Sequence, residues 1–454
     1  MAKIEVASCS IEELFSEYID ENINGVLEIP EYQRPYVWSK KEIDRLLSDI
    51  EEHNDRQDDK PMYYLGSIIL HKHGNKLSII DGQQRITTLA IIQYKKDTNK
   101  IPQIKYVSPT TKNNIKENYN YLQGKNLDFI SFDNLNVTLV VTDKEDDAYT
   151  FFETQNTGGV RLTGIDIIKA HHLRAITSNG KKDEQYAVIW ESQRNIEKVV
   201  GLLIKARRWN FLAWEGVPAE KNIKETKNSI IKDFSEKTLE KSKAAYSNII
   251  LSGDYSSFKI SPYKFAVRQP LASGENFIDY LKQFTGLYQR MFRNNSDADI
   301  PDEFYKFQKT VINNGSGLLK EFYEISMLCY VQKFGTCNLQ EASYWIFRYT
   351  FSLRFSNARY VKEKSIPAFI RNNTRPYLFD IIFSSFNSSE LIEGLKQFTY
   401  IFNAEMTDKD HYAKPRFIEY VKKYFDSVEF DIKHYDECLK KGIENKLNEV
   451  KNGK

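Results

Sequence analysis

The sequence predicts an α+β protein, with a mixed N-terminal third followed by a largely all-α region. Three observations lead there. The β-leaning runs "YYLGSIIL", "KLSII" and "NVTLVV" lie before residue 142. Beyond about residue 177 the texture changes to long helical patterns rich in Lys, Glu, Phe and Tyr, such as "EQYAVIWESQRNIEKVVGLLIKARRW". At 454 residues the chain also exceeds a usual single domain. The expected division is 1–176 and 177–454, the second part open to a further break in the polar stretch near 293–304.

Each element has a local reason. "EIPEYQRPYVW" must be extended, because Pro30 and Pro35 disfavour helix in the residues before them. "SKKE" reads as a capping box, Ser39 accepting from the amide of Glu42 while Glu42 reaches back. Ile43, Leu46, Leu47 and Ile50 follow at helical spacing, and Trp38 with Ile43 occupies the staple positions. "YYLGSIIL" and "KLSII" flank the polar "HKHGN", a hairpin in which Gly74 can take a positive φ. A strand near 136–141 precedes the helical "DDAYTFFETQN", which should stop at Gly158 and Gly159. Thr163 and Asp166 then open a helix through "IDIIKAHHLRAI".

The stretch "IIDGQQRITTL", residues 79–89, has two readings. Asp-Gly between apolar runs is either a hairpin turn or the junction of a strand with a phosphate-holding helix. After Gly82 the apolar residues bunch rather than alternate, and Ile86, Leu89 and Ala90 share a helix face. Pattern favours the helix without eliminating the hairpin. In the helical case the unpaired amides and dipole of its N-terminus suit phosphate. Gly82 would let an oxygen approach the backbone, Arg85 could fork onto two oxygens, and Gln83 and Gln84 could donate to phosphate or ribose. Asp81 could hold a metal ion or position Arg85. The simpler role for the pair is a cap at Asp81 and a surface salt bridge at Arg85.

"IPEYQRPYVW", a hairpin, "DGQQRITTL" and "FFETQNTGGVRLTGIDIIKA", in that order over residues 10–175, resemble the GmrS-type domain (domain of unknown function 262). "YKFAVRQPLASGENFIDYLKQF", residues 263–284, extends a weaker likeness into the helical region. The resemblance implies a ParB/sulfiredoxin-like fold that binds and hydrolyses nucleoside triphosphates in bacterial systems restricting phage or modified foreign DNA. By position it implies a nucleotide motif of Asp81, Gly82, Gln83, Gln84 and Arg85, within which we read Asp81, Gln84 and Arg85 as the catalytic set. Gln33, Arg34 and Tyr36 would flank it, and Asn156, Gly158, Gly159 and Lys169 would complete the site, with Asp166 on the same helix as Lys169. The segment at 33–34 and the Asn-Gly-Gly loop are expected to converge on one cleft floored by the hairpin strands. The implied cofactors are a nucleoside triphosphate and Mg2+.

Many relatives carry a C-terminal HNH nuclease, whose His and carboxylate residues hold a metal and activate water. Past residue 172 only His411 and His434 remain, and neither lies in the paired setting such a site needs. His411 beside Asp408 and Asp410 suits an exposed polar loop better than a metal cluster, and His71, His73, His171 and His172 suit a turn and a helix. The expected protein is therefore a nucleotide-dependent subunit of a phage-defence system that leaves cutting to a separate nuclease or effector. The alternatives are a ParB-like module that binds nucleotide or modified DNA without chemistry, and a ParB-type nuclease. Glu31 and Asp81 are the nearest candidates for a water-activating base.

Composition limits the partners. With 64 basic and 62 acidic side chains the net charge is +2, so DNA binding needs a local patch; "KARRW", Lys205 to Trp209, is either that patch or an ordinary solvated helix face. Four scattered cysteines without a CxxC pair point to packing thiols in a reducing compartment. No signal-like start or membrane-length apolar run is present in the sequence, so the expectation is a cytoplasmic protein with no membrane association, oligomerisation being compatible with it.

Overall fold

A computed structural model describes the chain except residues 1–3, 56–60, 98–101, 145–146, 149–163, 177–181, 210–230, 236–237, 239–250, 255–256, 261–263, 295–296, 358–360, 363–364, 373–376, 406–412, 426–433 and 452–454. In the N-terminal third, β1 (Ile4–Ser10), β2 (Val26–Glu28), β3 (Tyr63–His73), β4 (Lys76–Asp81) and β5 (Leu135–Thr142) form one mixed sheet in the order β1-β5-β3-β4-β2. The β1–β5 and β3–β4 pairs are antiparallel; β5–β3 and β4–β2 are parallel. The expected hairpin is present, with Gly74 at φ +60°.

Four helices, α1 (Ile11–Phe15), α2 (Lys40–Asn54), α3 (Gln83–Lys96) and α4 (Pro109–Leu122), supply the core of one sheet face. Leu70, Leu77, Ile79, Leu139 and Val141 pack there with Ile43, Leu47, Ile86, Leu89, Ile92 and Leu122. Ile69, Ile80 and Val140 form a smaller cluster with Ala148 and Tyr32. The Ser39–Glu42 capping box starts α2 as its sequence requires. The Asp-Gly ambiguity resolves in favour of the helix: β4 ends at Asp81, Gly82 takes φ +94°, and α3 begins at Gln83.

Two further helices, α5 (Gly164–Arg174) and α6 (Lys182–Ser192), complete a compact unit running from Met1 to Ser192. A second unit, Gln193–Lys454, is mostly helical and contains one two-stranded antiparallel hairpin, β6 (Leu251–Asp254) and β7 (Ser257–Ile260). Its core is aromatic: Phe307, Tyr344, Phe347, Tyr424 and Phe425 meet in edge-on and tilted pairs. Across the polar stretch near 293–304, Arg290 binds Asp297 and Asp299. No described helix is long and apolar enough to cross a membrane.

Two details differ from the sequence reading. His71 and His73 lie at the end of β3 rather than in the turn, where His73 Nε2 meets Glu28 Oε1 at 3.0 Å. All four cysteines are free; Cys9 and Cys329 are buried, which pushes both thiols up to about 12, whereas Cys337 is exposed and is no packing thiol.

Candidate functional site

The extended segment after β2 is held against the start of α3 by the side chains of that helix. Gln84 Oε1 accepts from the amides of Val37 at 2.8 Å and Trp38 at 3.2 Å, and its Nε2 donates to the Pro35 carbonyl at 3.1 Å. A proline-bearing extended segment has no strand partner for these groups, so a buried amide side chain supplies one. Gln33 closes the other end, its Nε2 donating to the Ile80 carbonyl at 3.0 Å.

Tyr36 is fully buried. Asn118 Nδ2 donates to its hydroxyl at 3.0 Å, the hydroxyl lies 2.9 Å from Thr88 Oγ1, and Thr88 in turn donates to the Gln84 carbonyl. Since the Thr88 hydrogen is already used, Tyr36 donates to Thr88. Burial raises the phenol's pKa and keeps it protonated as that chain requires. Tyr36 therefore anchors the segment in the core instead of flanking a ligand, because its ring has no exposed surface to offer.

Gln33 and Arg34, held in this way, line a cleft together with Glu31, Gln83, Lys105 and Glu191. Tyr106, Ser108 and Thr111 also line it, and none of its lining residues belongs to the hairpin strands that were expected to floor it. Arg34 has no hydrogen-bond or ionic partner among the described residues. Lys105 pairs with Glu184. Glu31 is pushed up to about 7, chiefly by burial and then by Glu184, with Asp183 adding and Lys169 and Lys105 opposing. Lys169, almost wholly buried, donates to the Gln33 carbonyl at 2.9 Å and pairs with Glu191 at 3.0 Å, so it stands behind the cleft wall and braces it.

Arg85 has a different placement from the one its motif suggests. Its guanidinium donates to the carbonyls of Leu65 at 2.6 Å and Ser67 at 2.7 Å and lies 3.5 Å from Asp81. The register of β3 against β5 shifts between Tyr64 and Ser67, leaving carbonyls that need a donor. Arg85 supplies it and does not line the cleft. Asp81 and Arg85 thus form the simpler ion pair, and among the described residues Gln83 is the member of the Asp-Gly motif whose side chain reaches the cleft. Gly82 is required by its φ and by space, since a Cβ there would lie 2.9 Å from Ile68 Cγ1. Asn156, Gly158 and Gly159 lie outside the described residues.

The sequence reading missed Lys105 and Glu191. Neither belongs to a motif, and Glu191 lies more than 100 residues from Gln83. Its only signal is the break after "IWES", where α6 ends.

Residues 11–173 match the family described as GmrSD restriction endonuclease, N-terminal domain. Residues 182–410, half of the chain, match a family of unknown function, DUF7834. The chain belongs to that family and carries a GmrSD-type N-terminal domain. No curated protein matches it. The GmrSD-type domain makes this a protein of a restriction or phage-defence system, and its match spans the first sheet, the Asp-Gly junction and most of α5.

In the basic run of the second unit each cation is turned inward to a partner within the fold. Within α7 (Ile196–Arg208), Lys205 pairs with Glu321, Arg207 donates to the carbonyls of Val267 and Gln269 at 2.8 Å, and Arg208 is paired with Asp233. Trp209 is buried against Phe322 and Phe379.

Proposed function

We propose that this protein is the nucleoside-triphosphate-binding and hydrolysing subunit of its defence system. The observation that carries the reading is Arg34, unpartnered among the described residues, in a cleft that also takes the first residue of α3, whose start has no side-chain cap. Helix-start amides and a free guanidinium are the two groups best suited to phosphate oxygens. Glu31, with a pKa near neutrality, is suited to accept a proton from attacking water. A triphosphate brings Mg2+, held through its phosphate oxygens and water.

DNA is the expected regulator of turnover, and a separately encoded nuclease or effector is the expected partner, its docking assigned to the aromatic-rich helical unit. One observation favours the second reading, a binding module without turnover. Two of the three residues expected to be catalytic, Gln84 and Arg85, are engaged in holding the fold.

Phosphate release from each of the four ribonucleoside triphosphates, with and without Mg2+ and DNA, separates the readings. Arg34→Ala should weaken triphosphate binding about tenfold or more, the loss of one charge-assisted contact of about 1.5 to 3 kcal/mol, while leaving the fold intact. Unchanged affinity in that variant removes Arg34 from the site.

A further inference from the structure

We propose that the Gln83–Glu191 side of the cleft holds the nucleobase of the ligand, and that it selects guanine by accepting hydrogen bonds from the two adjacent N–H groups of that base. This rests on the nucleotide-binding reading and adds to it which end of the ligand lies there and which base is preferred.

The starting observation is a pair of buried acceptors with nothing to accept. Gln83 is 6% exposed and its Oε1 has no hydrogen-bond partner among the described residues. The Glu191 side chain is 8% exposed; its Oε1 binds Lys169, whereas its Oε2 has no hydrogen-bond partner among the described residues. Both residues line the same cleft. Around it Gln33 reaches Ile80, Gln84 serves three backbone groups, and Lys169 has two acceptors.

A buried acceptor without a donor is unfavourable, and a carboxylate oxygen more so than an amide oxygen. In this proposal the missing donors come from what enters the cleft. Phosphate cannot supply them, since at neutral pH it presents mainly acceptors and would be repelled by Glu191. Arg34 and the backbone amides at the start of α3 suit the phosphates, which leaves the two acceptors for the other end of the nucleotide.

Among the four bases, guanine presents N1–H and the 2-amino group side by side, two donors on one edge. Adenine and cytosine each place an amino group beside a ring acceptor, and uracil places one N–H between two carbonyls. Only guanine offers both orphaned oxygens a donor from adjacent atoms without setting a base acceptor against one of them. Lys169 supports the arrangement by holding Glu191 Oε1, which leaves Oε2 as the free acceptor.

The test is equilibrium binding of GTP, ITP, ATP and UTP to the full chain, by calorimetry, alongside phosphate release. Inosine keeps N1–H and lacks the 2-amino group, so GTP should bind roughly tenfold more tightly than ITP, and ITP no less tightly than ATP or UTP. Gln83→Met, which keeps the side-chain length and removes the acceptor, should reduce the GTP preference over ATP to within about threefold. Glu191→Gln should do the same, and thermal melts identify a variant that loses affinity through unfolding. Equal binding of all four triphosphates, or a wild-type preference in a folded Gln83→Met variant, overturns the proposal while leaving triphosphate binding in place. Preferential GTP binding without phosphate release upholds it and rejects hydrolysis. No binding of any triphosphate rejects both.

Discussion

Replacing Arg85 tests whether the Asp-Gly motif serves the ligand or the fold. Its guanidinium makes two short bonds to main-chain carbonyls of β3 and is only 24% exposed. Hydrogen bonds to charged donors contribute about 1.5 to 3 kcal/mol each, so losing both, with water able to reach part of the gap, should cost about 2 to 4 kcal/mol in Arg85→Ala. Gly66, between the two carbonyls, supplies an internal check. It has φ +103°, and a Cβ placed there would lie 2.5 Å from Arg85 Nη1. Gly66→Ala should therefore cost about 1 to 2 kcal/mol in backbone strain plus about 1.5 to 3 kcal/mol from the displaced guanidinium. In the Arg85→Ala background only the strain remains. The double-mutant cycle should show a coupling of about 2 kcal/mol, measured by urea denaturation of the four proteins. Additive effects, or an Arg85→Ala variant as stable as the wild type that has lost triphosphate binding, would refute this assignment and return Arg85 to the phosphates.

Three further outcomes are expected. Gly82→Ala combines a positive φ with a methyl 2.9 Å from Ile68, so thermal denaturation should show a loss of about 2 to 4 kcal/mol. Asp436→Ala strands Arg348, which is fully buried and bound to both carboxylate oxygens at 2.8 and 2.7 Å; stability should fall by about 3 to 5 kcal/mol, and a loss under 1 kcal/mol on this scale would count against the buried pair. Glu31, ordinarily near 4.5, is raised to about 7, so the folded protein retains a proton there that the unfolded chain has released. Its contribution is thus fully present below about pH 4.5 and lost as pH rises to about 7; Glu31→Gln should flatten that slope by about 1 to 2 kcal/mol, a figure reduced for partial exposure, and parallel pH profiles of the two proteins would reject it.

The sequence by itself determined the elements whose causes are local. The capping box at Ser39, the hairpin glycine at position 74 and the two prolines that keep 29–38 extended act within a few residues, so their outcome is written in the residues concerned. The bunched apolar residues after Gly82 likewise favoured the helix that α3 forms. Residue types at the site were legible only as chemistry. Gln83, Gln84 and Arg85 are neighbours with similar donor capacity, yet Gln84 secures the extended segment, Arg85 serves a strand irregularity and Gln83 lines the cleft. Which of them reached the cleft was decided by the tertiary structure, because consecutive helix positions point about 100° apart and each finds a different neighbour. The same holds for Glu191 in the cleft and Lys169 behind its wall, brought together by the packing of α5 and α6, and for the inward-turned cations of 205–208, whose acceptors lie at distant positions. Local geometry follows from local sequence; the partner of a long polar side chain is settled only when segments far apart in the chain compete to satisfy the same buried groups.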